Sequence, residues 1–320
     1  MSDQAGAGLS SRPPPPSLLC VNRVRANLLL LVISLIWGAA FVAQSQAMAD
    51  VGPMLFTGVR FLIGALVVLP LMVIEWRGLQ RQSRPLQNGD WLKIGGLGGL
   101  LLLGAALQQI GIKTTSITNA GFLTALYVPL VPVLGWLLLR QLPHWSIWPC
   151  ALACLAGAYL LSGAQQMEIT SGDQWVIASA IPWALHVLLV GRFADRMAAP
   201  FLVAGGQFLV CGAIALVWAL AFEPFSWTGL QAAAGPIAFG GVLSVGVAFT
   251  AQVVAQRHAL AADAAIILSA ETLFAALFGY FLMGDRLNAA GLAGCALIFS
   301  SILLVQLLPM LSLLHGRMKA

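Results

Sequence analysis

The chain has 320 residues, 60% hydrophobic and only 8% charged, with a net charge of +5 and a pI near 9.2. An ordinary soluble domain carries roughly 25% charged residues, so this composition excludes a water-soluble globular protein and implies an integral membrane protein.

In chain order, residues 1–26 begin with "MSDQAGAGLSSRPPPPSLLCVN", a Gly/Ser/Pro-rich stretch too polar to build a core, which is read as a disordered tail. Arg23 and Arg25 then precede the apolar run from Asn27 to Ala49. That run exceeds the about 7–15-residue core of a cleaved signal peptide, so it reads as an uncleaved anchor. The spanning stretches are 27–49, 53–75, 91–111, 117–139, 144–163, 174–192, 200–222, 230–254, 260–283 and 287–310. A helix needs about 20 apolar residues, rising about 1.5 Å each, to cross the roughly 30 Å hydrocarbon layer. Lipid offers no partner for backbone N–H and C=O groups, and the alternation of membrane-barrel strands is missing, so these are predicted to be helices.

Turn signals separate them: Asp50-Val51-Gly52-Pro53, Gly172-Asp173 and Glu223-Pro224. Only the connection "EWRGLQRQSRPLQNGD", Glu75 to Asp90, is predicted to be long, and residues 311–320 form a short tail. In "GGLGGLLLLGAAL" (95–107), Gly95 and Gly99 stand four apart, a spacing that predicts close helix contact. Pro129, Pro132 and Pro182 are expected to kink their helices. The cysteines Cys20, Cys150, Cys154, Cys211 and Cys295 show neither a disulfide framework nor metal-ligand spacing.

Positive charge near helix ends stays cytoplasmic. With the N-terminus inside, the inner segments hold Arg12, Arg23, Arg25, Arg77, Arg81, Arg84, Arg140, Arg192, Arg196, Arg257, Arg317 and Lys319, and the outer ones only Lys113 and Arg286. Both termini are therefore expected to be cytoplasmic, and the high pI records this bias with no indication of nucleic-acid binding. Lys93 and Asp263 read as charges at helix starts, where a carboxylate stabilises the free N–H groups.

The sequence also repeats. "PMLFTGVRFLIGA" (53–65) aligns without gaps to "PFLVAGGQFLVCG" (200–212), with Arg60 opposite Gln207. A second match pairs Gln108 with Gln252, Asn119-Ala120 with Asp263-Ala264, and Gly135-Trp136 with Gly279-Tyr280; Trp37-Gly38 and Trp183-Ala184 open the two halves alike. The domains are thus 27–163 and 174–310, each of five helices. Two odd-helix units joined in one chain must face opposite ways in the membrane, which gives an all-α fold of inverted repeats whose interface is where carriers bind cargo.

The order of "LIWGAAFVAQ" (35–44), "PMLFTGVRFLIGALV" (53–67), "SITNAGFLTALYVPLVPVLGWLLLR" (116–140) and "AADAAIILSAETLFAALFGYFLMGDRL" (261–287) resembles the ten-helix EamA branch of the drug/metabolite transporter superfamily. The family commonly has Glu-Pro in the ninth helix where this chain has Glu271-Thr272, so a proline kink is missing there. The resemblance implies a carrier of small metabolites, such as amino acids, across the bacterial inner membrane, most often outward and without ATP. In agreement, no phosphate-cradling GxxxxGK[ST] loop occurs, and "GIKTTS" (111–116) lacks its glycines. No cofactor is implied, and the expected partners are lipid, a small-molecule substrate and protons, for a monomer or a homodimer.

Within the helices, a few polar residues stand out. Glu271 sits mid-helix, where a charge costs at least about 2.5–3.5 kcal/mol and is kept mainly when it faces an interior or a cavity; it reads as a proton-exchanging or substrate-facing carboxylate, or as a neutral packing group. Arg60 lies about 10 Å from its helix start at about 1.5 Å per residue. It reads either as a forked donor to a carboxylate or as a cation snorkelling to the headgroups. His186 is a proton acceptor or a buried histidine. Gln44, Gln108 and Gln252 need partners from a wet cavity or from neighbouring helices. Trp37 and Trp183 are pocket walls or packing. The rival class is an intramembrane enzyme, but neither Gly-x-Ser-x-Gly nor His-Glu-x-x-His occurs, and His144, His258 and His315 lie in or near connections.

Overall fold

A computed structural model of the chain describes residues 16–162, 170–283 and 288–318. Among the described residues every regular element is helical. Nine helices among the described residues are long and apolar enough to cross a membrane, and Ile147–Ser162 is a shorter apolar helix. The first half consists of α1 (Pro16–Ala47), α2 (Pro53–Arg81), α3 (Asn88–Ile112), a broken fourth span of α4 (Ile117–Thr124) and α5 (Tyr127–Leu139), and α6 (Ile147–Ser162). The second half consists of α7 (Ser171–Met197), α8 (Pro200–Phe222), and an eighth span built from α9 (Trp227–Ala232), α10 (Ala234–Ala238), a π-helical stretch Phe239–Phe249 and α11 (Thr250–Ala255). A broken ninth span of α12 (Ala261–Leu268) and α13 (Ala270–Phe278), continued by a π-helical turn Gly279–Met283, leads to α14 (Ala289–Met318).

Several boundaries differ from the sequence expectation. The connection expected at 75–90 shrinks to residues 82–87, because α2 runs on to Arg81 and α3 starts at Asn88, where Asp90 and Gln87 form a capping box. Polar residues at the membrane edge are good helix formers, so hydropathy marks the lipid boundary and not the helix end. By the same effect α1 begins at Pro16, inside the expected tail, and α14 runs on to Met318. Gly172-Asp173 is the first turn of α7, capped by Thr170, whose side chain accepts from the Asp173 N–H while Asp173 accepts from the Thr170 N–H.

The inverted repeat is visible in the packing. α3 packs on α7 and α8, and its counterpart, the π-helical eighth span, packs on α1 and α2. α1 packs on α12 and α13, and its counterpart α7 packs on α4 and α5. α2 lies against α8, and α6 against α14, so these two pairs straddle the pseudo-two-fold axis. α2 and α8 are also tied at both ends. Glu223, at the end of α8, accepts hydrogen bonds from the Met54 and Leu55 N–H groups at the start of α2, at 2.9 and 2.8 Å. Glu75, late in α2, accepts from the Leu202 N–H at the start of α8, at 2.7 Å. Each carboxylate fills free N–H groups at the positive end of the other helix's dipole.

The helix breaks are also repeat mates. Ala125 ends α4 and Ser269 ends α12, at the same offset as Asn119 and Asp263. In the fourth span the cause is Pro129, which has no N–H to donate and whose ring crowds the carbonyl four residues back. In the ninth span, without the proline, the Ser269 hydroxyl donates to the Ile266 carbonyl at 2.6 Å and competes with the helix ladder. The break expected to be lost with the Glu-Pro pair is thus kept by a serine. α7, in contrast, runs unbroken through Pro182.

Close helix contact does not occur at Gly95 and Gly99: a Cβ at either would meet nothing within 4 Å. The close approaches of α3 are at Gly98, Gly104 and Gly111, against Val210, Trp183 and the Gly172 carbonyl. The four-residue spacing lies on the wrong face of the helix. Where α6 crosses α14, a Cβ on Gly157 would sit 2.7 Å from the Gly294 carbonyl oxygen. Gly157→Val is therefore expected to destabilise the protein by about 1–3 kcal/mol, the usual range for overpacking, whereas Gly95→Ala should leave it unchanged or slightly more stable. Unfolding midpoints in detergent check this, and equal midpoints for the two variants would refute the crossing geometry.

Candidate functional site

At the centre of the bundle, where the two repeats meet, lies a cavity of about 50 Å³. It is lined by Arg60, Glu271, Gln44, Gln108, Gln252, Trp37 and Trp183 from the sequence-predicted set, and also by Phe41, Thr124, Tyr127, Ser244 and Phe249. Helical spacing explains how the elements deliver these groups. Trp37, Phe41 and Gln44 share one face of α1 at i, i+4 and i+7; Trp183 and Val187 are four apart on α7, and Leu268 and Glu271 flank the break at Ser269. Ser244 and Phe249 are five apart within the π-helical stretch, whose wider turn puts i and i+5 on one side.

Arg60 is 3% exposed. Its side chain therefore does not reach the headgroups, and the snorkelling alternative does not describe it. One terminal nitrogen donates to the Gln44 Oε1 at 2.9 Å, and the guanidinium carbon lies 5.0 and 5.2 Å from the ring centres of Phe56 and Phe61, within cation–π range. Its Nε has no protein partner.

Glu271 is the second residue of α13, two past the break at Ser269, and is 6% exposed. The ion pairs among the described residues are Arg23 with Asp263, Lys93 with Asp90, and Arg257 with Asp195. Arg60 and Glu271 thus share a cavity without pairing to each other. Tyr127, the repeat mate of Glu271, lines the same cavity, so the two mirrored breaks present a carboxyl and a phenol to one space.

The glutamines divide. Gln108 donates to the Thr124 hydroxyl at 2.7 Å, and Gln44 holds Arg60, whereas the Gln252 Oε1 has no protein partner. The aromatic wall is continuous. Trp37 and Phe249 have ring centres 4.5 Å apart, Trp183 stacks on Phe249 at 5.9 Å and 17°, and the Trp37 Nε1 donates to the Ser244 carbonyl at 3.3 Å. His186 sits behind this wall. Fully buried, it lies edge-on to Trp183 and Phe249 and hydrogen-bonds through Nε2 to the Gln207 Oε1 at 2.8 Å. Gln207, the repeat mate of Arg60, is consumed in this contact and does not line the cavity. Asp263, set aside as a helix-start charge, is buried and ion-paired to Arg23.

Sequence reasoning missed Phe249, Tyr127, Phe41, Thr124 and Ser244. Two of them lie one turn from a polar residue that was found, Phe41 three before Gln44 and Phe249 three before Gln252; Tyr127 is reached through the repeat, as the mate of Glu271, and Thr124 lies one turn before Tyr127. Ser244 is reached only through the π-helical step. No metal-holding group of His, Cys, Asp and Glu occurs among the described residues.

The chain is similar over nearly its full length to proteins named as transporters. It is 27% identical over 290 residues to an uncharacterized transporter of Archaeoglobus fulgidus, covering 90% of this chain and 87% of that protein. It is 24% identical to the uncharacterized transporter YoaV of Bacillus subtilis, covering 87% and 96%. A solved crystal structure shares the fold with a TM-score of 0.72 at 21% identity, covering 89% of this chain and 98% of that one. The EamA-like transporter family matches residues 24–163 and again 170–307, one match per five-helix repeat, and the chain belongs to that family.

Proposed function

We propose that this membrane transporter is a secondary-active exporter of amino acids or closely related metabolites across the bacterial inner membrane. It works by alternating access and is driven by proton exchange at Glu271. The observation that carries this reading is the pairing of Arg60 and Glu271 in one aromatic-walled cavity without an ion pair between them. A forked cation suits a carboxylate, a carboxylate suits an ammonium, and a box of Trp37, Trp183 and Phe249 suits apolar or aromatic bulk. An α-amino acid carries all three. Arg60 Nε, Gln252 Oε1 and Trp183 Nε1 have no protein partner, and a polar occupant would supply one to these cavity residues.

Energy for net movement comes from a gradient, because the sequence has no nucleotide-binding loop. Glu271 is the acidic residue at the repeat junction, and it reaches the cavity without a cationic partner. Binding a proton neutralises it, and releasing the proton restores the site for an ammonium group.

The deciding experiment is transport in proteoliposomes from a panel of amino acids, nucleobases and aromatic compounds, with and without an imposed pH gradient. Glu271→Gln preserves shape but cannot ionise. It is expected to lose gradient-driven accumulation at least tenfold and to flatten the pH dependence, while substrate exchange at equal pH persists. Exchange and affinity falling together would instead make Glu271 a substrate ligand, and wild-type behaviour would eliminate both roles. Accumulation by the wild type without any dependence on a pH gradient would favour an equilibrative or uptake permease of the same fold.

Arg60→Gln removes a charge-assisted hydrogen bond of about 1.5–3 kcal/mol, so cargo affinity should fall about ten- to a hundredfold while membrane yield is kept. Arg60→Lys keeps the charge but loses the fork, and it should recover only part of the loss. Unchanged transport in Arg60→Gln would refute its role at the cavity.

We place both termini in the cytoplasm, because Arg77, Arg81, Arg84, Arg140, Arg192, Arg196 and Arg257 cluster at one end of the helices, called here the basic end, while Lys113 marks the other. In intact cells, a cysteine at Lys113 should react with a membrane-impermeant thiol reagent, and one at Gln82 should not. The opposite labelling would reverse the orientation.

A further inference from the structure

A second cavity lies at the basic end, below the central one. It measures about 520 Å³ and is walled by Arg23, Asp263, His144, Ser146, Val131 and Leu188, among others. The two cavities are close neighbours along the chain: Val187 lines the central one and Leu188 the lower one, and on α5 Tyr127 lines the upper and Val131, four residues on, the lower. About one helical turn of apolar side chains separates them.

The Arg23 guanidinium, two turns into α1, donates to the Asp263 carboxylate in the first turn of α12. The Asp263 side chain is 4% exposed and that of Arg23 33% exposed. The pair ties the first repeat to the half-span of the ninth helix that ends at the break at Ser269. Its mirror stands at the other end of the bundle, where Asp173 at the start of α7 accepts a hydrogen bond from the Thr115 hydroxyl just before α4, at 3.0 Å. By the repeat, α7 corresponds to α1 and α4 to α12. Each broken span is therefore tied, at the end away from its break, to the first helix of the other repeat. One tie is an ion pair and the other a carboxylate–hydroxyl bond. With both ties made, the central cavity holds about 50 Å³, room for a few waters.

We propose that the Arg23–Asp263 pair is the latch of the gate between the basic-end vestibule and the central cavity, so that breaking it opens the central cavity to that side. This rests on the reading of the central cavity as the cargo site. The latch joins two repeats that must move relative to each other, it lies in the wall of the larger cavity, and it is an ion pair where its mirror is a carboxylate held by a hydroxyl. Removing one partner leaves a charge with no counterion in a mostly apolar wall, and that state is relieved when water enters the vestibule.

The test uses thiol accessibility in full-length protein from which Cys20, Cys150, Cys154, Cys211 and Cys295 have been replaced, with Val187→Cys as the reporter. A membrane-impermeant maleimide is applied to vesicles from the basic-end side. Asp263→Asn and Arg23→Gln are each expected to raise the labelling rate about tenfold, and the exchange Arg23→Asp with Asp263→Arg should bring it back toward the parent. Should Asp263→Asn fail to insert, Arg23→Gln, at the more exposed partner, gives the same reading. Unchanged rates in the single variants would overturn the latch, and raised rates that the exchange does not lower would overturn the ion pair as its cause. Labelling needs no cargo, so an inactive carrier in the liposome assay would count against the proposed function and leave this result standing.

Discussion

Hydrocarbon cannot hydrogen-bond to protein, and that constraint orders the whole molecule. Each spanning backbone must satisfy itself as a helix, and each polar side chain must find a protein partner or a cavity. The two places where the spans break, at Ala125 and Ser269, are therefore not on the lipid-facing surface but beside the central cavity, where Tyr127 and Glu271 follow within two residues. The same constraint concentrates Arg60, Gln44 and Gln252 in one space instead of scattering them through the bundle.

An odd number of helices per repeat adds the second constraint, opposed orientation. It makes α2 and α8 antiparallel neighbours, so that Glu75 and Glu223 cap each other's helix starts, and it lets α6 and α14 cross backbone to backbone at Gly157 and Gly294. The scaffold is close to symmetric, but the chemistry on it is not. Arg60 faces the cavity while its mate Gln207 is spent on His186, and Glu271 faces it while its mate is Tyr127. On the proposed reading, repeat symmetry supplies the means of opening to either side, and the broken symmetry supplies one site lined by both a guanidinium and a carboxyl group.

Much of this was legible in the sequence because a charge or an amide inside an apolar run is conspicuous. Arg60, Glu271, Gln44, Gln108 and Gln252 stood out for that reason, and Trp37 and Trp183 through the repeat. Phe249, Tyr127 and Phe41 did not, because an aromatic in an apolar run looks the same whether it faces lipid, core or cavity. His186 was noticed for its chemistry, but the face it occupies is set by which neighbours α7 meets, and they place it behind the wall. Gly95 and Gly99 failed for the same reason: a spacing identifies a face, and only the neighbouring helices decide whether that face is approached. The break at Ser269 was hidden because a serine can interrupt a helix through its own hydroxyl, an effect that depends on the rotamer and leaves no mark in composition.

The small size of the central cavity connects these features. At about 50 Å³ it admits a few waters but no metabolite, so on the proposed reading cargo enters only when the repeats part. Arg60 is held meanwhile by Gln44 and by the faces of Phe56 and Phe61, contacts that keep the cation in place without neutralising it. Had Arg60 and Glu271 paired directly, opening the site would have to break a buried ion pair, which costs several kcal/mol. Keeping them apart would, on that reading, leave both free for a dipolar cargo. On the same reading, the ion pair that opening breaks is the Arg23–Asp263 contact at the mouth, where water can reach the separated charges.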